Sequence, residues 1–261
     1  MPSVKTTTQT LRKLKGQRPI VAVTAYDYIT AQLADAAEVD FILVGDSLGN
    51  TALGYETTVP VTVDTMLHHT QAVARAKPKA FLMTDIPFAV AGHSCDYVLD
   101  VCTRMLQEGG AEAVKIEGGQ RRAATCATVA RAGIPVMGHI GLKPQDVLQL
   151  GGYRKFGKAR TERQILIDEA KAWEDAGAFA LLLEMVEHSV AEEVTAAVSI
   201  PTIGIGAGPK VDGQILVISD LLGLNAGKYP GFAKRYANLR ETAVAALSDY
   251  RDEVRDGKFP E

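Results

Sequence analysis

The chain has few cysteines, little net charge and no long hydrophobic run. Its 261 residues include three cysteines, and an odd number in a chain of this length favours reduced thiols in the cytoplasm. A formal net charge of −3 argues against a nucleic-acid partner, which requires a basic face. No apolar run reaches the roughly 18 residues of a membrane span, so we expect a cytoplasmic protein without a membrane partner.

The N-terminal sequence and the histidines exclude two further classes. Residues 1–21 are basic but lack the apolar segment of a secretory signal, which favours a short amphipathic entry helix. A mitochondrial transit segment fits less well, because the first predicted strand starts immediately afterwards. Histidines at positions 68, 69, 93 and 188 form no recognisable zinc motif, which argues against a zinc enzyme.

Apolar runs alternate with amphipathic stretches along the chain. The predicted strands are 19–24, 40–45, 79–84, 112–117, 135–140, 178–184, 201–206 and 214–218. This pattern predicts a single (β/α)₈ TIM barrel over residues 1–261, with a short N-terminal helix and a long C-terminal helix at about 233–255. A doubly wound open sheet is the alternative. The short final strand and the unclear helix between the seventh and eighth strands are the weak points.

Four of these runs end in an acidic residue: Asp46, Asp85, Glu117 and Glu184. Burying unpaired carboxylates is costly, so the four endings suggest strands that converge on positive charge at one mouth of a barrel. We interpret Asp46 and Asp85 as oxygen ligands of Mg²⁺, with Glu117 completing the site directly or through water. The alternative is that Asp46 and Asp85 only cap turns.

Three more features point to chemistry at the same mouth. Lys115 and Glu117 share a strand face by alternation, so Lys115 should project into the barrel, as a substrate contact or in a structural ion pair. Glu184 ends an apolar run, and burial there would suit it to accept a proton. A metal ligand or a partner for Lys115 is the alternative. His139 is a hydrogen-bond donor to substrate or a structural residue.

Two long segments should leave the mouth. Residues 46–61 and 141–160 are rich in glycine, polar and aromatic residues. Long loops in compact domains are usually functional, so we predict that both act as lids.

The chain closely resembles the ketopantoate hydroxymethyltransferases over nearly its whole length. The resemblance rests on TAYD (24–27), VGDSLGN (44–50), TTVPVTVDTMLHHTQAV (57–73), VKIEGG (114–119), GHIGLKPQ (138–145), GGYRKFG (151–157), LLLEMV (181–186), IGIGAG (203–208) and DGQILVISDLLGL (212–224). It implies a (β/α)₈ barrel related to the phosphoenolpyruvate/pyruvate-binding enzymes and, commonly, a homodecamer. The departures are mild: Asn50 replaces a common methionine, and DIPF at 85–88 replaces DLPF or DMPF.

The resemblance also implies a reaction. The family transfers a hydroxymethyl group from 5,10-methylenetetrahydrofolate to the 2-oxo acid 3-methyl-2-oxobutanoate, giving 2-dehydropantoate on the way to pantothenate. Asp46 and Asp85 then resemble Mg²⁺ ligands, with Glu117 as a third. Asp46, Ser47, Asp85 and Lys115 resemble substrate contacts, and Glu184 the proton acceptor. His139 lies in a family motif with a less certain role.

The residues make sense of such a reaction. A 2-oxo acid chelates Mg²⁺, which stabilises the enolate that forms when C3 loses a proton. The sequence contains no separate folate motif, and residues 46–61 and 141–160 are the candidate surface. One rival is a lyase or mutase of the same superfamily, which would carry a cysteine acid in a loop at the mouth. Cys95, Cys102 and Cys126 are all predicted on helices. The other rival, a non-catalytic barrel, should have lost a charged mouth residue.

Overall fold

The computed structural model of the protein describes residues 5–227 and 229–260. Within these ranges eight parallel strands pair in sequence order and close into a barrel. The predicted (β/α)₈ barrel is therefore confirmed, and the alternative of a doubly wound open sheet is wrong. The strands are β1 (Ile20–Thr24), β2 (Phe41–Val44), β3 (Phe81–Asp85), β4 (Ala113–Glu117), β5 (Val136–Gly141), β6 (Ala180–Glu184), β7 (Thr202–Ile205) and β8 (Gly213–Leu216).

Helices follow most of the strands, as predicted. They are α1 (Thr8–Leu14), α2 (Tyr28–Ala36), α3 (Leu48–Thr51), α4 (Val63–Ala74), α5 (Cys95–Gln107), α6 (Ala123–Arg131), α7 (Val147–Leu150), α8 (Arg160–Asp175), α9 (His188–Ala197), α10 (Ile218–Leu222) and α11 (Leu239–Arg255). Short 3₁₀ helices cover Val90–Gly92, Gln120–Arg122 and Pro144–Asp146. In the described chain no helix lies between β7 and β8, where the sequence pattern was unclear.

Local capping explains where several helices begin. Asp27 accepts a hydrogen bond from the Thr30 backbone N–H at 2.8 Å, in a capping box that starts α2. Thr62 and Ser94 cap α4 and α5 through their hydroxyl groups. The predicted N-terminal helix is observed as α1. The C-terminal helix α11 begins later than predicted, at Leu239, because residues 229–238 form turns and extended chain.

Contacts within the chain divide it into a larger unit that ends at Ile215 and a smaller unit that begins at Leu216. The smaller unit contains α10 and α11, and α11 has no buried residue. Its apolar side chains recur at helical spacing and are exposed: Leu239, Leu247, Tyr250 and Val254. No helix in the described part of the chain is long and apolar enough to cross a bilayer.

The interior of the larger unit changes character along the strands. Near the strand starts, buried side chains of the strands pack with Leu11 of α1 and Phe179 into one apolar core: Leu11, Ile20, Ala22, Phe41, Leu43, Phe81, Met83, Ala113, Met137, Phe179, Ala180, Leu182, Ile203 and Ile215. Further along β4 the same face carries Lys115 and Glu117, whereas Val114 and Ile116 are fully buried on the other face. The barrel therefore holds an apolar lower half and a charged upper half.

Candidate active site

Strand register places charged residues side by side at the carboxyl ends of the strands. Asp85 on β3 is the register partner of Lys115 on β4, and Glu117 is the partner of His139 on β5. On the next pair of strands, Gly141 is the partner of Glu184. Gly141 has a φ of 91°, and a Cβ there would collide with the carbonyl oxygen of Glu184. The cluster of mouth residues therefore follows from strand pairing.

Lys115 lies at the centre of this cluster. Its Nζ is 2.9 Å from Asp85 Oδ1, 3.6 Å from Glu117 Oε1 and 3.1 Å from His139 Nδ1. Burial works to lower the pKa of Lys115, but the surrounding carboxylates, Asp85 first, outweigh it and raise the pKa. The side chain is 4% exposed, so a buried, charged ammonium is available to neutralise an anion.

Glu117 is held as a carboxylate by donors on both sides. Its Oε1 faces Lys115 and His139 Nδ1, the latter at 3.4 Å, and its Oε2 accepts a hydrogen bond from the Gln145 backbone N–H at 3.2 Å. Burial alone would raise the pKa of Glu117, but the charges of His139 and Lys115 lower it to about 2. Both oxygens are thus engaged by protein groups.

Asp46 and Asp85 are linked to each other. Asp85 Oδ2 accepts a hydrogen bond from the Asp46 backbone N–H at 2.9 Å, and Asp46 Oδ2 accepts one from Gln145 Nε2 at 2.9 Å. A Cβ at position 45 would lie 2.9 Å from Ser47 Oγ and 3.5 Å from Asp85 Oδ2, so Gly45 permits this close approach. Burial first, and the neighbouring carboxylates next, raise the pKa of Asp46 well above its ordinary value. Burial also raises the pKa of Asp85.

His139 connects the cluster to Glu184. His139 Nε2 is 3.3 Å from Glu184 Oε2, and the ring is 1% exposed. Burial and Lys115 lower the pKa of His139, but the two flanking glutamates outweigh them and raise it.

The surroundings of Glu184 differ from the expectation. The sequence predicted a carboxylate buried among apolar residues, but its side chain is 17% exposed and faces a histidine. The reason is its position: the apolar residues of LLLE lie deeper in the barrel, and the last residue of β6 reaches the mouth. Glu184 is therefore a partly exposed carboxylate at the mouth of the barrel, beside His139.

Three residues that the sequence reasoning did not single out also lie here. Gln145 is buried and bonded to Asp46 and Ile86. The hydroxyl of Tyr26 lies 2.9 Å from Ser47 Oγ and accepts a hydrogen bond from Thr24 Oγ1 at 2.9 Å. The available signal was positional, because TAYD follows β1 and KPQ follows β5, both at the mouth.

The donor set fits a hard divalent cation held by two aspartates. In the described residues no group of three His, Cys, Asp or Glu side chains is placed to hold a metal ion. Two aspartates are enough, because Mg²⁺ is commonly bound by one or two carboxylates with water, and Glu117 stays a predicted ligand, directly or through water. Because burial, and next the neighbouring carboxylates, raise the pKa of Asp46, a bound cation would stabilise its ionised form.

The chain is similar to known proteins over nearly its whole length. A sequence model of ketopantoate hydroxymethyltransferase matches residues 5–261. The chain belongs to the ketopantoate hydroxymethyltransferase family. A relative from Moorella thermoacetica, named 3-methyl-2-oxobutanoate hydroxymethyltransferase, is 53% identical over 249 residues, covering 95% of this chain and 92% of its own length. Relatives of the same name from Caldivirga maquilingensis and Trichodesmium erythraeum are each 52% identical; they cover 98% of this chain and 96% and 97% of their own lengths.

Solved structures of other enzymes share the fold of this member of the ketopantoate hydroxymethyltransferase family. The structure of 2,3-dimethylmalate lyase, a member of the PEP mutase/isocitrate lyase superfamily, has a TM-score of 0.62 at 19% identity, over 98% of this chain and 90% of that one. Phosphonopyruvate hydrolase in complex with oxalate and Mg²⁺ has a TM-score of 0.61 at 19% identity, over 98% and 89% of the two chains. At such identity these structures show a common barrel only.

The three cysteines lie in helices, as predicted: Cys95 and Cys102 in α5, and Cys126 in α6. The cysteine acid in a mouth loop that the lyase alternative requires is therefore not provided by any of them.

Proposed function

We propose that the protein transfers a hydroxymethyl group from 5,10-methylenetetrahydrofolate to 3-methyl-2-oxobutanoate and forms 2-dehydropantoate, in the first committed step toward pantothenate. The observation that carries the proposal is the buried cluster in which Lys115 meets Asp85 and Glu117 while His139 faces Glu184. Such a cluster suits a reaction that binds an anion and removes a proton beside it. The names of the relatives supply the substrate.

The oxo acid would bind against the upper end of β2, β3 and β4. Asp46 and Asp85 would hold Mg²⁺, which when bound supplies Lewis acidity toward oxygen atoms of the substrate. Lys115 would neutralise the substrate carboxylate and the negative charge that develops after deprotonation. Ser47, whose Oγ is held by the Tyr26 hydroxyl at 2.9 Å, would donate a hydrogen bond to the substrate.

Glu184 would take the proton from C3 of the substrate. Its neighbour His139, whose Nε2 lies 3.3 Å from Glu184 Oε2, would stabilise the charge of the carboxylate. The electron pair left on C3 forms the new carbon–carbon bond to the one-carbon unit. Both carbon–nitrogen bonds of the methylene bridge break, water supplies the hydroxyl group, and the remaining water proton and the proton taken by Glu184 end on the two folate nitrogens. A base in this role contributes about 10²–10⁴-fold to the rate.

The folate would approach over the loops that leave the mouth. Residues 46–61 contain α3, and residues 141–160 contain Pro144–Asp146 and α7. Tyr153 in the second loop is 57% exposed, and burial of its hydroxyl end, followed by the charge of Glu184, raises its pKa. Tyr153 therefore offers an aromatic face near the proposed base, as binding of a flat pterin ring requires.

We also propose that the protein assembles, as a homodecamer, and works in the cytoplasm. The resemblance to the family is the main support for the assembly. The exposed apolar side chains of α11 add a surface that a subunit contact would cover. The reduced cysteines support the location.

The decisive assay measures tetrahydrofolate-dependent formation of 2-dehydropantoate, with and without EDTA. A second measurement isolates the base: Glu184→Gln should bind the oxo acid with near-normal affinity but lose exchange of the C3 hydrogen with deuterium in D₂O. The matched control is Glu187→Gln, because Glu187 pairs with Lys155 at 3.3 Å outside the cluster. Exchange at the wild-type rate in Glu184→Gln would place the base elsewhere, with His139 as the next candidate.

A further inference from the structure

Gln145 ties together the ends of three strands. It lies in the 3₁₀ helix Pro144–Asp146 after β5 and is 8% exposed. Its side-chain Nε2 donates to Asp46 Oδ2 at 2.9 Å and to the Ile86 carbonyl oxygen at 2.9 Å, and its backbone N–H donates to Glu117 Oε2 at 3.2 Å. One residue thus contacts the segments that follow β2 and β3 and the last residue of β4.

The orientation of this amide is fixed by its partners. A carboxylate oxygen and a carbonyl oxygen only accept hydrogen bonds, so both must face the NH₂ group of Gln145 and not its oxygen. Both amide hydrogens are used, and Asp46 Oδ2 is held on the protein side. In the described part of the chain no hydrogen bond reaches the other oxygen of Asp46, Oδ1, so that oxygen can contact a ligand.

We propose that Gln145 is a positioning residue that holds the Asp46 carboxylate in place to bind a divalent cation. This inference rests on the proposed function, because it assigns Asp46 to the cation site. A neutral hydrogen-bond donor suits this position, because the carboxyl groups of Asp46, Asp85 and Glu117 already lie around a single ammonium group, that of Lys115. A carboxylate at position 145 would add repulsion, and an ammonium group would compete with the cation.

The test measures binding of Mg²⁺ to the full-length protein by isothermal titration calorimetry. Gln145→Met keeps the length of the side chain but has no donor, and we expect the Kd for Mg²⁺ to rise about 10- to 100-fold, as when an outer hydrogen bond to a metal ligand is lost. In activity assays the Mg²⁺ concentration for half-maximal rate should rise similarly, while kcat at saturating Mg²⁺ stays close to wild type. If Gln145 had a purely structural role, the variant would have a lower melting temperature but an unchanged Kd for Mg²⁺.

Gln164→Met is the matched control. Its Nε2 also donates to a carboxylate, Asp168 Oδ1 at 2.9 Å, but on the exposed face of α8, so its Kd for Mg²⁺ should equal that of wild type. If Gln145→Met does not fold, Gln145→Asn keeps the amide but is one methylene too short, and the same rise in Kd is expected. A folded Gln145 variant with the wild-type Kd would overturn the inference. Failure of the proposed function would show instead in the wild-type protein, as absence of 2-dehydropantoate formation.

Discussion

Replacing Lys115 by methionine would remove the ammonium group that compensates the buried carboxylates of the barrel mouth. The substitution keeps most of the side-chain volume, so its main effect is electrostatic. Asp85 Oδ1 at 2.9 Å and Glu117 Oε1 at 3.6 Å would lose their cation. The substitution therefore measures how much of the free energy of unfolding depends on charge balance in the upper half of the barrel.

The magnitude follows from these distances. At an effective dielectric constant of about 20, the two contacts correspond to about 6 and about 5 kcal/mol of attraction. Dehydration of the ammonium group offsets several kcal/mol of that sum, and breaking a buried pair on one side costs about 3–5 kcal/mol net. For a chain of this size each kcal/mol lowers Tm by about 2–4 °C, so we expect a decrease of roughly 10 °C.

The assay is thermal unfolding at one fixed protein concentration in EDTA, followed by the same scan with Mg²⁺. We expect the variant to recover more of its Tm on adding Mg²⁺ than wild type does, because the cation replaces the missing charge. Lys210→Met is the control: its pair with Glu192 at 2.7 Å is exposed, so the loss should stay below about 1 kcal/mol. A Lys115→Met protein that melts within about 2 °C of wild type in EDTA would refute the reasoning.

Two further predictions concern thiols and assembly. Burial raises the pKa of Cys102 and Cys126 to about 12. A thiol reagent should therefore modify only Cys95 in the native protein and all three cysteines after unfolding. Rapid reaction of two or more thiols in the native protein would contradict the described packing. Leu247 is 67% exposed on α11 and should lie in a contact between subunits. Leu247→Glu should therefore reduce the mass of the assembly measured by light scattering. A wild-type protein that is a monomer at micromolar concentration would contradict the proposed assembly.

Much of the fold could be predicted because the pattern is periodic and local. Apolar runs separated by amphipathic stretches predicted the bounds of the strands to within one or two residues. Alternation correctly placed Lys115 on the inward face of β4 and Ile116 on the opposite face, which is also buried. The start of α11 was less accurate. Its first turn depends on how residues 229–238 pack, and hydrophobic periodicity does not report such turns.

The site could be predicted only in part. A carboxylate at the end of a strand is visible in sequence, which is how Asp46 and Asp85 were found. Gln145 was missed because a neutral amide in a loop carries no periodic or charge signal, and its importance comes from contacts with residues up to 99 positions away. The partial exposure of the Glu184 side chain was not predicted, because the depth of a strand end below the mouth depends on the stagger of the strands in the barrel and not on the strand's own residues.

The change from apolar to charged side chains along the inward faces of β3, β4 and β6 bears on how this protein can be engineered. In β4, Ala113 belongs to the packed interior and Lys115, two residues later, to the reactive end. Volume-conserving exchanges at Phe81 or Met137 should alter heat resistance while leaving catalysis intact. Conversely, a new reaction could be designed on this scaffold by replacing the last inward residue of β3, β4 or β6 while the apolar interior below it is kept unchanged.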